Sequence, residues 1–129
     1  MTAASRPKQL VLIVEDDEFL SRMYVSKFEF EGFNVISASD GDSGLLLAIN
    51  EKPDIVLLDL ALPKRDGFNV LAELKRRPET KGIPVIVLTN LSQKEQIDRC
   101  FSLGAKDVLI KAHFVPSEVV AKVRTVLGG

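Results

Sequence analysis

The chain has 129 residues, 46% of them apolar and 27% charged, which are the proportions of one globular domain able to bury a core. Its net charge of −1 gives no field that would draw in nucleic acid or an anionic membrane. The single cysteine excludes an internal disulfide, and no apolar stretch approaches the roughly 20 residues of a membrane span.

Residues 1–7 lack the apolar core of a signal peptide and read as a short disordered lead. The first strand is predicted over 9–14, in the run Leu10-Val11-Leu12-Ile13-Val14, and ends in the acidic cluster Glu15-Asp16-Asp17-Glu18. A helix over 17–31 follows, with Leu20, Met23, Tyr24 and Phe28 at helical spacing and Asp17 as its cap. The second strand, 33–38, precedes a helix over 41–51. The third strand, 54–58, ends at Asp59, and a helix over 66–77 is stopped by Pro78. The fourth strand, 83–88, ends at Thr89. Ser92-Gln93-Lys94-Glu95 has the capping-box pattern and predicts a helix over 92–103. The fifth strand, 107–110, ends at Lys111, and Pro116 opens a last helix over 116–127.

Short unbroken apolar runs are the mark of parallel strands covered on both faces. Strand and helix alternate throughout, which gives a five-stranded parallel sheet between two helical layers. Ligands of such sheets bind at the carboxyl ends of the strands. Four strand ends therefore bring carboxylates, a hydroxyl and an ammonium toward one crevice. That set suits a divalent cation, a phosphoryl group and a nucleophilic aspartate.

In order, Val14-Glu15-Asp16-Asp17, Leu57-Leu58-Asp59-Leu60-Ala61-Leu62-Pro63 with Asp66-Gly67, Leu88-Thr89 and Lys111 resemble the receiver domain of bacterial two-component response regulators. The resemblance covers about 8–127. It implies a flavodoxin-like three-layer α/β/α sandwich with strand order 2-1-3-4-5. It also implies a cytoplasmic phosphoacceptor that takes its phosphoryl group from a phosphohistidine of a sensor histidine kinase or phosphotransfer protein. Such a domain is a signalling module rather than a turnover enzyme. It acts on an output domain or target protein, as a monomer or weak dimer, with no direct nucleic-acid or membrane contact.

Carried over by position, Asp59 is the phosphoacceptor. Asp16 binds Mg²⁺ directly, Glu15 acts mainly through water, and Asp59 and the backbone carbonyl of Ala61 complete the metal set. Thr89 bonds the phosphoryl oxygen, and Lys111 pairs with it or, before transfer, with Asp59. Mg²⁺ keeps several waters and needs only one or two carboxylates.

The departures from the family pattern cluster at the fifth strand and helix. Val108 stands where the family usually places the aromatic half of its switch, beside Thr89. Ala112 replaces the proline that usually follows the lysine. A cis bond before a non-proline residue costs about 2.5–4 kcal/mol, so the substitution favours a trans, rearranged Lys111-Ala112-His113-Phe114 loop. Val115 is a poor cap for the last helix. Lys64 and Arg65 read as a solvated loop, His113 as a surface or packing residue, and Cys100 as half-buried and not a nucleophile. Two other readings compete. One is a receiver-like interaction module that never takes phosphate. The other is a haloacid-dehalogenase-type phosphohydrolase, which needs a second aspartate where this chain has Ala61.

Overall fold

The computed structural model describes residues 8–128, so the lead expected over 1–7 lies outside the described residues. Five parallel strands form one sheet of order β2-β1-β3-β4-β5: β1 (Leu10–Val14), β2 (Asn34–Ala38), β3 (Ile55–Leu58), β4 (Val85–Thr89) and β5 (Asp107–Ile110). The helices between and after them are α1 (Glu18–Phe30), α2 (Gly41–Glu51), α3 (Gly67–Arg76), α4 (Lys94–Ser102) and α5 (Pro116–Val126). This is the flavodoxin-like sandwich that the alternation and the resemblance predict.

The unbroken apolar runs have a direct cause. Successive strand residues point to opposite faces, and helices cover both. On β3, Val56 and Leu58 enter the core built with Leu45, Ala48, Val70, Leu71 and Leu74 of α2 and α3. Ile55 and Leu57 enter the opposite core, with Tyr24 and Phe28 of α1 and Val119, Val120 and Val123 of α5. All four strand residues are at most 1% exposed. Burying one such aliphatic side chain contributes about 1.5–3 kcal/mol, so both layers are needed to hold the central strand.

Helix ends depart from the predicted boundaries in informative ways. Asp17 caps α1, its carboxylate accepting the Leu20 N–H at 2.9 Å. The capping box expected at Ser92 does not form. Helix α4 starts two residues later, with Gln93 at its cap and no side-chain hydrogen bond there. Just ahead of it, the Thr89 hydroxyl accepts the Leu91 N–H at 3.2 Å. At α5, Val115 has no capping oxygen, as expected, but its own N–H donates to the Glu118 carboxylate at 2.9 Å. There is no cis peptide bond among the described residues. After β5 the chain makes one turn of 3-10 helix, Lys111–His113, that the sequence pattern does not announce.

Candidate functional site

Register builds the site. Val14 pairs with Leu58, so the next residues, Glu15 and Asp59, emerge side by side. The ladder continues one step further, because the Asp59 N–H donates to the Val14 carbonyl at 3.0 Å. On the other side of Glu15, its N–H donates to the Ala38 carbonyl at 3.0 Å. Thr89 pairs with Ile110, which sets Lys111 just past the end of β4. Strands β1, β3, β4 and β5 thus deliver their terminal polar residues to the same edge of the sheet.

The side chains converge. One carboxylate oxygen from each of Glu15, Asp16 and Asp59 lies within 4.8 Å of the others. Lys111 donates to the Asp59 carboxylate at 3.0 Å and makes a short ion pair with Glu15. Glu15, Asp59 and Thr89 are 4%, 7% and 1% exposed, while Asp16 faces solvent. Burial pushes the Glu15 carboxyl above its usual range, against the opposing pull of Lys111 and the Asp17 N–H, and the nearby Asp59 charge adds to the rise. Burial also disfavours the Lys111 ammonium. Its hydrogen bonds to Glu15 and Asp59 more than offset that and hold it above the usual lysine range.

Three carboxylates thus cluster beside one ammonium that pairs with two of them. The excess negative charge is partly desolvated and opens to water on the Asp16 side. A hard divalent cation fits that donor set, since it prefers oxygen ligands and keeps waters where protein supplies none. A cleft of about 440 Å³ begins there, lined by Glu15, Asp16, Ser21, Arg22 and Ser37 among others.

The segment after Asp59 is tightly wound. The Ala61 N–H points back to the Asp59 carboxylate at 3.4 Å. The Leu60 carbonyl accepts both the Leu62 N–H at 3.1 Å and the Gly67 N–H at 2.9 Å. A Cβ at position 67 would lie 2.5 Å from the Asp59 carbonyl oxygen, so only glycine lets α3 start this close to the site. Asp66 caps that helix by accepting the Asn69 N–H at 3.0 Å.

The remaining sequence expectations divide. Val108 is half-buried and packs against the core on the α2–α3 side of the sheet, the core that also holds Cys100. His113 is exposed. Cys100 corrects the expectation of half burial: it is 0% exposed on the inner face of α4, and burial pushes its thiol up. Lys64 and Arg65 stay open to solvent, as expected, and within that exposed loop the Arg65 guanidinium bonds Asp42 at 2.8 Å and Asn69 at 2.7 Å. Sequence reasoning missed Gly41 and this arginine, because what they do depends on a contact between α2 and the loop after β3.

Residues 11–124 match the response regulator receiver domain family. The chain belongs to that family. It is 41% identical to the DNA-binding dual master transcriptional regulator RpaA of Synechocystis over 117 residues, which are 91% of this chain and 48% of that protein. It is 38% identical to the alkaline phosphatase synthesis transcriptional regulatory protein PhoP of Bacillus subtilis, with the same coverage. The chain therefore spans about half the length of these curated relatives. Among solved structures, a putative response regulator from Chloroflexus aurantiacus superposes with a TM-score of 0.87 at 29% identity, covering 95% of this chain and 100% of that one. The Borrelia burgdorferi CheX-CheY complex with beryllofluoride and Mg²⁺ gives 0.87 and 29%, covering 98% and 94%.

As a receiver domain the chain is a phosphoacceptor of two-component signalling, whose family exchanges phosphoryl groups with histidine kinases and phosphotransfer proteins. The phosphohydrolase alternative has no support from this family or from Ala61. Among the described residues, no helix is long and apolar enough to cross a membrane.

Proposed function

We propose that Asp59 accepts the phosphoryl group from a phosphohistidine of a sensor histidine kinase or phosphotransfer protein, in the cytoplasm, with Mg²⁺ in the acidic cluster. The observation that carries this reading is the convergence of Glu15, Asp16 and Asp59 at one sheet edge, with Lys111 bonded to the first and last of them. Asp16, Asp59 and the Ala61 carbonyl would hold the metal, with Glu15 acting through water. When bound, Mg²⁺ neutralises phosphoryl charge so that an anionic nucleophile can approach.

The chain's own residues then do the following. A carboxylate oxygen of Asp59 forms the new P–O bond as the P–N bond to the donor histidine breaks, and the freed imidazole keeps that electron pair. Lys111 already donates to Asp59 and can follow the developing charge onto the phosphoryl oxygens. The Thr89 hydroxyl, which accepts the Leu91 N–H, turns its free proton to donate to a phosphoryl oxygen and draws the Leu91 segment with it. That movement is the start of the switch. Its readout is an output domain or a target protein, and the DNA-binding relative makes transcriptional control one such output.

The test is phosphorylation of the chain by acetyl phosphate with Mg²⁺, with Asp59→Asn as the comparison. Acid-labile phosphate on Asp59 supports the reading. A chain that takes none, while folded and metal-loaded, supports instead a receiver-like interaction module.

A further inference from the structure

Helix α2 contributes no side chain to the acidic cluster, yet its first turn grips the loop that follows Asp59. The Gly41 N–H donates to the Pro63 carbonyl at 3.3 Å. A Cβ at position 41 would lie 2.0 Å from the Arg65 carbonyl oxygen and 2.8 Å from its carbonyl carbon, so the backbones touch where only glycine fits. Asp42, one residue on, accepts from the Arg65 guanidinium at 2.8 Å, and Asn69 of α3 accepts from the same group at 2.7 Å. Asp40 lies 3.8 Å from the Lys64 ammonium and caps α2 through the Ser43 N–H at 2.7 Å.

The gripped loop is not relaxed. Lys64 has a φ of 68°, and across it the Arg65 N–H donates to the Pro63 carbonyl at 2.8 Å. A three-residue turn with a positive central φ is rare and strained, and a lysine there lacks the freedom a glycine would have. It persists because surrounding structure holds it: Gly41 on the Pro63 carbonyl, Asp42 and Asn69 on Arg65. Between this turn and Asp59 lie only Leu60, Ala61 and Leu62. Gly67 closes the other end of the same loop against Leu60. Ala61, an exposed residue, is thereby held through its neighbours.

We propose that the first turn of α2, through Gly41 and the Asp42–Arg65 pair, is a positioning device for the metal site, setting where the Ala61 carbonyl and the Asp59 carboxylate stand. The proposal rests on the reading that Mg²⁺ binds at Asp16, Asp59 and Ala61. Releasing the clamp relaxes the strained turn and lets the loop drift from the cation. The cost falls on metal affinity rather than on the fold, because the cores on both faces of the sheet do not include this loop's tip.

The experiment is a Mg²⁺ titration of the full chain, followed by the Asp59 and Ala61 amide NMR signals, with thermal melts in chelator alongside. Gly41→Ala is the deciding variant, and Arg65→Ala replaces it if Gly41→Ala does not fold. Leu45→Val is the control: it loosens the core face of the same helix and leaves Gly41 and Asp42 in place. The clamp variant should bind Mg²⁺ about 10–100-fold more weakly, the loss typical when groups that orient metal ligands are removed. Leu45→Val should lower the melting temperature and keep the parent affinity. A folded clamp variant with parent affinity overturns the proposal, and so does an equal loss of affinity in Leu45→Val. A parent chain that binds no Mg²⁺ overturns the metal reading itself, and the proposal with it.

Discussion

Lys111 and Asp59, 52 positions apart, meet at 3.0 Å, and the same ammonium also pairs with the buried Glu15. One cation thus holds two buried carboxylates apart from solvent. Removing one partner of a buried ion pair leaves the other charge uncompensated. Lys111→Met should therefore destabilise the chain by roughly 3 kcal/mol at neutral pH in chelator. Denaturant unfolding would check it, and Mg²⁺ should recover part of the loss by replacing the missing positive charge. Stability equal to the parent in chelator would mean that the pair contributes nothing net.

Mg²⁺ should stabilise the parent chain. A ligand that binds only the folded state at about 100 times its Kd adds about 2.7 kcal/mol. Melts in magnesium and in chelator should differ accordingly. Asp16→Ala should remove most of that difference while leaving the chelator melt nearly unchanged, because Asp16 is exposed and not buried in the ion pair.

The site's chemistry was legible in the sequence because parallel strands end where their last residues are used. Each apolar run stops at a polar residue, and in-register pairing such as Val14 with Leu58 and Thr89 with Ile110 carries those residues to one edge. The run-and-stop pattern is local, so it can be read without knowing the fold. The clamp on Pro63 and Arg65 was not legible. Lys64 and Arg65 carry no pattern that separates a solvated loop from a strained turn, and their partners Gly41 and Asp42 sit on another helix. The false capping box at Ser92 has a related cause. The pattern Ser92-x-x-Glu95 suits a cap, but the helix begins at Lys94 with Gln93 at its cap, and the chain before it is turned locally by the bond from Leu91 N–H to Thr89.

Asp40 supplies a pH-dependent test of the loop's surroundings. Its carboxyl is held below the usual aspartate range, chiefly by the Ser43 N–H and further by the Ser43 hydroxyl and Lys64, against some desolvation. A depressed carboxyl contributes stability above its unfolded pKa and loses it as pH falls through the folded value. Asp40→Asn should therefore melt lower than the parent at neutral pH. The gap should narrow as pH drops below the ordinary aspartate range. A gap independent of pH down to acid unfolding would remove the carboxylate's charge from the account.

The switch should run through β4 rather than β5. Thr89 is 1% exposed and its hydroxyl accepts the Leu91 N–H, so a hydroxyl that turns to donate to a phosphoryl oxygen carries the Leu91 amide with it. Val108 is β-branched, with one side-chain torsion, and cannot sweep between solvent and core as a ring can. With beryllofluoride and Mg²⁺, amide shifts should be large over 89–103, with Leu91 among them, while the Val108 methyls keep one rotamer. A flipping Val108 beside a still fourth helix would contradict this route.

The central claim is that Asp59 takes the phosphoryl group, and mass spectrometry of the intact chain after acetyl phosphate and Mg²⁺ tests it most directly. The account predicts the mass gain of one phosphoryl group, labile to acid and base, mapped to Asp59, absent in chelator and absent in Asp59→Asn. Unchanged labelling in Asp59→Asn, or no labelling of a folded parent that binds Mg²⁺, would contradict it.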